Sequence, residues 1–183
     1  MNIVDCLPRR EGDVVVRPLA HADAAAYAAG TEDPAVRRYG HLPYAQYTPQ
    51  SVRDMVDHEI ARGLADNSLA VLAIADAASD EFLGSVVLFD VNADRAEVGF
   101  WLTPAARGRG AAQQGLRAVA SIAADAGLGR LDARADWVNE ASRGVLESVG
   151  FVETEGPHDE LAPSGETVTV LTFELRLVGG RTA

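Results

Sequence analysis

Cysteine is nearly absent: Cys6 stands alone, which excludes an intrachain disulfide and any cysteine-based metal site. Lysine is missing altogether, so all 16 basic residues are arginine, set against 27 Asp and Glu. The resulting net charge of −11 argues against nucleic acid or an anionic membrane as the main partner, and it suits a cationic substrate. No apolar run reaches the length of a membrane span, and no basic region followed by a long apolar stretch opens the chain. From this we expect a cytoplasmic location and no membrane partner. The four histidines form no cluster with Asp or Glu at metal-ligand spacing, so no metal is expected. There is no internal repeat, no linker and no low-complexity segment beyond richness in alanine. With 48% hydrophobic and 23% charged residues, the 183-residue chain reads as one mixed α/β domain with a sizeable core.

Residues 1–12 carry little pattern and read as an arm. Val14–Leu19 is a β-branched run ended by Pro18, a first strand. A short Ala-rich helix follows from His21 to Gly30 with Asp23 as its cap. Thr31–Tyr47 fits neither helix nor strand, whereas Thr48-Pro49 is a good helix start. Val52, Met55, Val56, Glu59 and Ile60 then make a helical stripe ending near Gly63. Leu69–Ala75, Phe82–Val91 and Ala96–Leu102 form an antiparallel meander, the last two joined by a turn at 92–95. Leu116, Val119, Ala120, Ala123 and Ala126 line a helix that stops at Gly127, before a strand at Leu131–Val138. Asn139-Glu140 opens a further helix with Val145, Leu146 and Val149 inward and Gly150 as its stop. Phe151–Glu155 and Thr167–Leu177 read as strands joined by an acidic loop, Gly156–Glu166.

The most informative stretch runs from Glu97-Val98-Gly99-Phe100-Trp101-Leu102 through Pro104 into Arg107-Gly108-Arg109-Gly110-Ala111-Ala112 and the long helix. A glycine loop opening a helix offers backbone N–H groups and a positive dipole end to an anion. A nucleotide-hydrolysing P-loop would need Lys and Ser or Thr directly after its glycines, where this chain has Ala111 and Ala112. A dinucleotide fingerprint would need a third glycine, or alanine, where this chain has Gln113, and it would lie after the first strand.

Arg107–Ala112 matches instead the Arg/Gln-x-x-Gly-x-Gly/Ala loop of the GNAT superfamily of acyl-CoA-dependent N-acetyltransferases. Glu97–Leu102 is similar to that family's fourth strand. Asn139-Glu140-Ala141-Ser142 with Leu146-Glu147-Ser148-Val149-Gly150-Phe151 resembles its Asn-x-x-Ser…Leu-Glu-x-x-Gly-Phe helix. Val16-Arg17-Pro18-Leu19 with Asp23, then Asp33-Pro34, resembles the opening of the RimJ/RimL-like branch. The resemblance covers about residues 14–177 of a single domain, 1–183. It implies an α/β (α+β) GNAT fold: a mixed, mostly antiparallel seven-stranded sheet with splayed strands 4 and 5 and flanking helices.

The resemblance also implies a chemistry, attack of a neutral amine on the thioester of acetyl-CoA, with no metal. The loop residues Arg107, Gly108, Arg109, Gly110, Ala111 and Ala112 would then wrap the pyrophosphate through their backbone. Asn139 would hold the pantetheine arm, and the backbone N–H near Leu102 would polarise the thioester oxygen. Glu97 is the expected base, directly or through water, with Glu160, beside His158 and Asp159, as its rival. The tyrosine that many relatives use as acid is replaced by Leu146, which leaves Ser142 as donor to the leaving thiolate, or no acid at all. Tyr39, His41, Tyr44 and Tyr47 are candidates for the wall of the acceptor site. The acceptor is expected to be a protein N-terminal α-amine, with a small amine (antibiotic, polyamine or amino acid) as alternative. A non-catalytic acyl-CoA-binding domain is the other class left open, and the protein is expected as monomer or homodimer.

Overall fold

The computed structural model describes residues 2–162 and 165–178. Its frame is one sheet in the order β1-β2-β3-β4-β5-β6-β8-β7. The strands are β1 (Arg9–Glu11), β2 (Val14–Pro18), β3 (Ala70–Asp76), β4 (Phe82–Phe89), β5 (Arg95–Leu102), β6 (Arg130–Asp136), β7 (Val152–Leu161) and β8 (Thr167–Arg176). The sheet therefore has eight strands rather than seven. The extra one comes from the supposed arm, where Ile3–Cys6 makes a 3₁₀ turn and Arg9–Glu11 pairs with Val14–Val16. All neighbours are antiparallel except β5 and β6, which are joined by a helical crossover, α5 (Ala111–Ala126).

Both faces of the central strands are buried, which is why β3 reads as an unbroken apolar run. Ala70, Leu72 and Ile74 point to one core, shared with Leu116, Val119, Ile122 and Ala123 of α5. Val71 and Ala73 point to the other, shared with Tyr27, Tyr47, Phe82 and Trp101. The second core lies under α1 (Ala24–Thr31), α2 (Pro34–Tyr39) and the helical run α3 (Pro49–Met55), a π turn (Val56–Ile60) and α4 (Ala61–Asp66). On β5 the alternation sends Val98, Phe100 and Leu102 to the α5 side and Trp101 to the α1 side. Burying a side chain of this size contributes about 1.5–3 kcal/mol.

Several local expectations need correction. Asp23 does not cap α1; its carboxylate takes two hydrogen bonds from the Arg17 guanidinium, at 2.8 and 3.0 Å, and one from the Ala20 N–H. The first helix runs on to Thr31 and the Thr48-capped one to Asp66, past Gly63. The segment 31–47 contains a true helix, α2, capped by Asp33, which accepts from Ala35 and Val36 N–H at 3.1 Å. Most of the acidic loop is strand: His158, Asp159 and Glu160 lie in β7, opposite Val170, Thr169 and Val168. The edge position explains how that strand tolerates Gly156, Pro157 and its charges.

Candidate active site

The strand β5 parts from β6 after three residue pairs, the last being Glu97 with Asp132. On its other side β5 stays paired to β4, and the Thr103 N–H bonds the Leu83 carbonyl at 2.9 Å. In an antiparallel ladder the hydrogen-bonded pairs alternate, so Trp101 and Gly99 also bond β4 while the amides of Phe100 and Leu102 face the gap. The Leu102 carbonyl accepts from Arg107 Nη2 at 3.0 Å, which leaves its N–H directed into the opening. The sequence thus builds a slot with backbone donors along one wall, beginning at Phe100, just past the last β5–β6 pair.

The slot ends at the glycine loop. After a 3₁₀ turn at Pro104–Ala106 the chain passes Gly108 (φ 75°) and Gly110 (φ 78°), left-handed conformations that favour glycine, before α5 begins. A Cβ on Gly108 would meet no protein atom within 4 Å, so the backbone there is demanded by its dihedral and lies open to a ligand. The arginine side chains brace the loop. Arg107 Nη2 donates to Asp33 Oδ1 at 2.5 Å, which holds the Asp33 carboxyl below its ordinary range against the opposing effect of burial. Arg109 Nη2 donates to the Ala105 carbonyl at 2.5 Å. A cavity of about 640 Å³ follows, lined by Leu102, Arg107, Gly108, Gly110, Ala111, Ala112, Asn139 and Ser142, with Arg109 outside the lining.

A second cavity, about 310 Å³, opens beyond the slot and is lined by Glu97, Arg134, Glu160, Tyr39, His41, Tyr44 and Tyr47 among others. Tyr39, Gly40, Phe100, Trp101, Asn139 and Ser142 line both cavities, so the two meet at the start of α6 (Glu140–Val149). There the Asn139 Oδ1 accepts from the Ser142 N–H at 3.2 Å and its Nδ2 donates to Ser142 Oγ at 2.9 Å. With its oxygen so engaged, the Ser142 hydroxyl hydrogen is free to turn toward the junction. Leu146 is buried in the core, so the position expected to hold an acidic tyrosine in relatives is a packing site here.

Arg134 organises the carboxylates of the second cavity. Its Nε donates to Glu97 Oε1 at 2.7 Å, its Nη1 to Glu160, and His158 Nε2 lies 2.9 Å from Glu160 Oε1. Burial pushes the Glu97 carboxyl above its ordinary value, with Arg134 only partly opposing. Burial acts the same way on Glu160, but His158 and Arg134 together outweigh it and hold that carboxyl low. Of the two candidates Glu97 is therefore the stronger base, and its side chain is only 13% exposed. His41 adopts a left-handed backbone (φ 45°), its Nε2 is buried without a hydrogen-bond partner among the described residues, and burial pushes its pKa down, which favours the neutral ring. Arg134 carries no signal in the sequence: its bond to Glu97 spans 37 residues and exists only through the β5–β6 register.

A family profile described as an acetyltransferase (GNAT) domain matches residues 13–152. No curated protein sequence matches the chain. Among solved structures the fold superposes on Mycobacterium smegmatis RimJ in complex with CoA-disulfide at a TM-score of 0.78, with 22% identity over 93% of this chain and 88% of that one. A GNAT-family acetyltransferase from Bacillus anthracis gives 0.77, with 19% identity over 93% and 98%. The ribosomal-protein-S5-alanine acetyltransferase of Vibrio fischeri gives 0.75, with 18% identity over 93% and 97%. At such identities the likeness is one of fold.

Proposed function

Because this chain belongs to the GNAT acetyltransferase family, we propose that it transfers the acetyl group of acetyl-CoA to a primary amine, with a protein N-terminal α-amine as acceptor. The observation that carries this reading is the meeting of the two cavities at Asn139 and Ser142, with Glu97 on the acceptor side and the glycine loop on the other. The open backbone at Gly108, the N-terminus of the 16-residue helix α5 and the gap-facing amides of β5 fit a pyrophosphate followed by an extended amide chain. Bound there, acetyl-CoA supplies the acetyl group as an activated thioester.

The residues of this chain then divide the work. The Leu102 N–H, directed into the slot, would donate to the thioester oxygen as negative charge develops there, an interaction that gains strength in a water-poor slot. Glu97 takes the proton that the amine loses, directly or through water. Ser142 Oγ, aligned by Asn139, donates to the departing thiolate. An α-amine of pKa ~8 is roughly one tenth neutral at pH 7, whereas a lysine amine near ~10.4 is neutral about once in 2,500, a deficit of roughly 4.6 kcal/mol. A carboxylate already paired with Arg134 is a modest base, and it suits the α-amine better. The name of the Vibrio fischeri relative, a ribosomal-protein-S5-alanine acetyltransferase, supports the same class.

Release of free CoA thiol from acetyl-CoA, measured with short peptides carrying a free or a blocked N-terminus, tests the reading. Turnover with the free terminus and none with the blocked one is expected. Tight acetyl-CoA binding with no turnover of any peptide or small amine would favour a non-catalytic binding domain.

A further inference from the structure

The acceptor cavity carries more negative charge than one reacting amine needs. Its walls include Glu59, Glu97, Asp136 and Glu160 against Arg134, a formal charge of −3 with His41 counted as neutral. Glu97 and Glu160 are engaged with Arg134, and Asp136 accepts the Val138 N–H at 3.0 Å. Glu59 is different. It sits in the apolar stripe of its helix, next to the buried Ile60, while Asp57 and His58 turn to solvent. The helix there makes a π turn, a costly irregularity that tends to persist where it serves a site.

The surroundings of Glu59 are aromatic. The Tyr44 hydroxyl donates to Glu59 Oε2 at 3.2 Å. Tyr44 packs edge-on against Tyr47, ring centroids 5.7 Å apart, and Tyr47 lies 5.6 Å from Tyr27. The charge of Glu59 is the largest influence raising the Tyr44 phenol above its ordinary pKa, so its field reaches into the ring cluster. A carboxylate bonded to one ring of a tyrosine pair, on the wall of a cavity, suits a cation: the charge is met by the carboxylate, and the neighbouring rings offer π surface to the alkyl or ammonium part.

We propose that Glu59, with Tyr44 and Tyr47, forms a subsite for a second cationic group on the acceptor, a short chain away from the amine that is acetylated. The proposal rests on the amine-acetyltransferase reading above and narrows its substrate class. The second cation is either a basic side chain next to a protein N-terminus or the far amine of a small diamine. Both present the same ammonium or guanidinium chemistry to Glu59.

Two matched pairs of acceptors separate these sources: alanyl-lysine amide against alanyl-norleucine amide, and a diamine against the monoamine of the same chain length. In the wild type the cationic member of at least one pair should have a kcat/KM about tenfold or more above its neutral partner, the scale of a charge-assisted hydrogen bond. The pair that shows the preference names the source. Glu59→Gln should bring that ratio close to one, and Glu59→Asp should recover part of it; binding of acetyl-CoA by each variant verifies that it is folded. A ratio near one in the wild type for both pairs, or the same ratio in Glu59→Gln, overturns the subsite. If no acceptor is acetylated, the transfer reading fails by itself and the subsite is decided by calorimetry with butyltrimethylammonium, a cation that cannot react. Binding weakened about tenfold by Glu59→Gln supports the subsite, and equal or absent binding in both proteins overturns it.

Discussion

Arg134 Nε donates to Glu97 Oε1 at 2.7 Å just where β5 and β6 cease to pair, so a carboxylate lining the second cavity is held from the strand beyond the gap. Two influences act on it. Burial raises its pKa and Arg134 lowers it, with burial the larger. In the proposed role the base is the ionised form, present above that pKa and lost as pH falls through it.

The pH dependence of kcat/KM should therefore break twice on the acid side. Below the pKa of the acceptor amine the slope of its logarithm is one, and it steepens to two once Glu97 takes up a proton. Glu97→Gln should lower kcat by about 10²–10⁴-fold, remove the second break, and leave acetyl-CoA affinity close to that of the wild type. Arg134→Gln removes the influence that lowers the Glu97 pKa, so the second break should move to higher pH. A break that stays in place in both variants would assign it to another group.

Asn139 and Ser142 are coupled by two hydrogen bonds, and the tasks proposed for the two side chains are separable by mutation. Asn139→Ala loses the cap of α6, worth about 0.5–2 kcal/mol of stability, together with a contact proposed for the pantetheine arm. Its KM for acetyl-CoA should rise. Ser142→Ala keeps the backbone N–H that Asn139 caps and removes only the hydroxyl, so kcat should fall about 10–100-fold with little change in the acetyl-CoA KM. A Ser142→Ala enzyme with wild-type kcat would mean that the thiolate leaves without an acid.

The cradle has its own test. Gly110 holds φ 78° as the residue before α5, and it lines the larger cavity. Gly110→Trp combines a strained backbone with a ring placed in the cavity. Acetyl-CoA affinity should fall by about a hundredfold or more, the worth of two charge-assisted hydrogen bonds. Circular dichroism would confirm that the fold persists, and near-normal binding in calorimetry would remove the loop from its role.

The elements easiest to read in the sequence were those whose stability is local or periodic. Thr48-Pro49 announces its helix because the capping oxygen and the fixed proline φ act within one turn. Asp33-Pro34 carries the same signal, but α2 was not read there, because the aromatic residues after it obscured the pattern. β7 was legible only over Val152–Glu155: its continuation, Gly156-Pro157-His158-Asp159-Glu160-Leu161, has poor strand propensity and owes its form to the pairing with β8. The site divides along the same line. Glu97, Asn139, Ser142 and the glycine loop sit in contiguous motifs. Arg134 and Glu59 act across the fold, one through strand register and one through the packing of a helix over the sheet. Asp23 shows the same limit, since its place before α1 suggested a cap and its partner is Arg17, six residues earlier.

That pair supports a stability prediction away from the chemistry. The Asp23 side chain is 5% exposed and that of Arg17 16%, and the two are joined in a bidentate bridge. The pairing with Asp23, aided by Asp80, outweighs burial and raises the Arg17 pKa. Removing one member of a buried pair leaves the other charge without compensation, a loss of about 3–5 kcal/mol. Here Arg17 keeps Asp80, at 2.7 Å from its Nε, although that carboxylate is largely exposed, so Asp23→Ala should fall near the lower end. At about 2–4 °C per kcal/mol for a domain of this size, Tm should drop by roughly 6–12 °C. Asp23→Asn retains an acceptor for the Ala20 N–H and should lose less. Since Asp23 lines neither cavity, acetyl-CoA affinity of the folded variant should match the wild type. A fall in Tm of under about 2 °C for Asp23→Ala would mean that Asp80 and water replace the buried carboxylate at no cost, and that the bridge fixes the start of α1 without stabilising the fold.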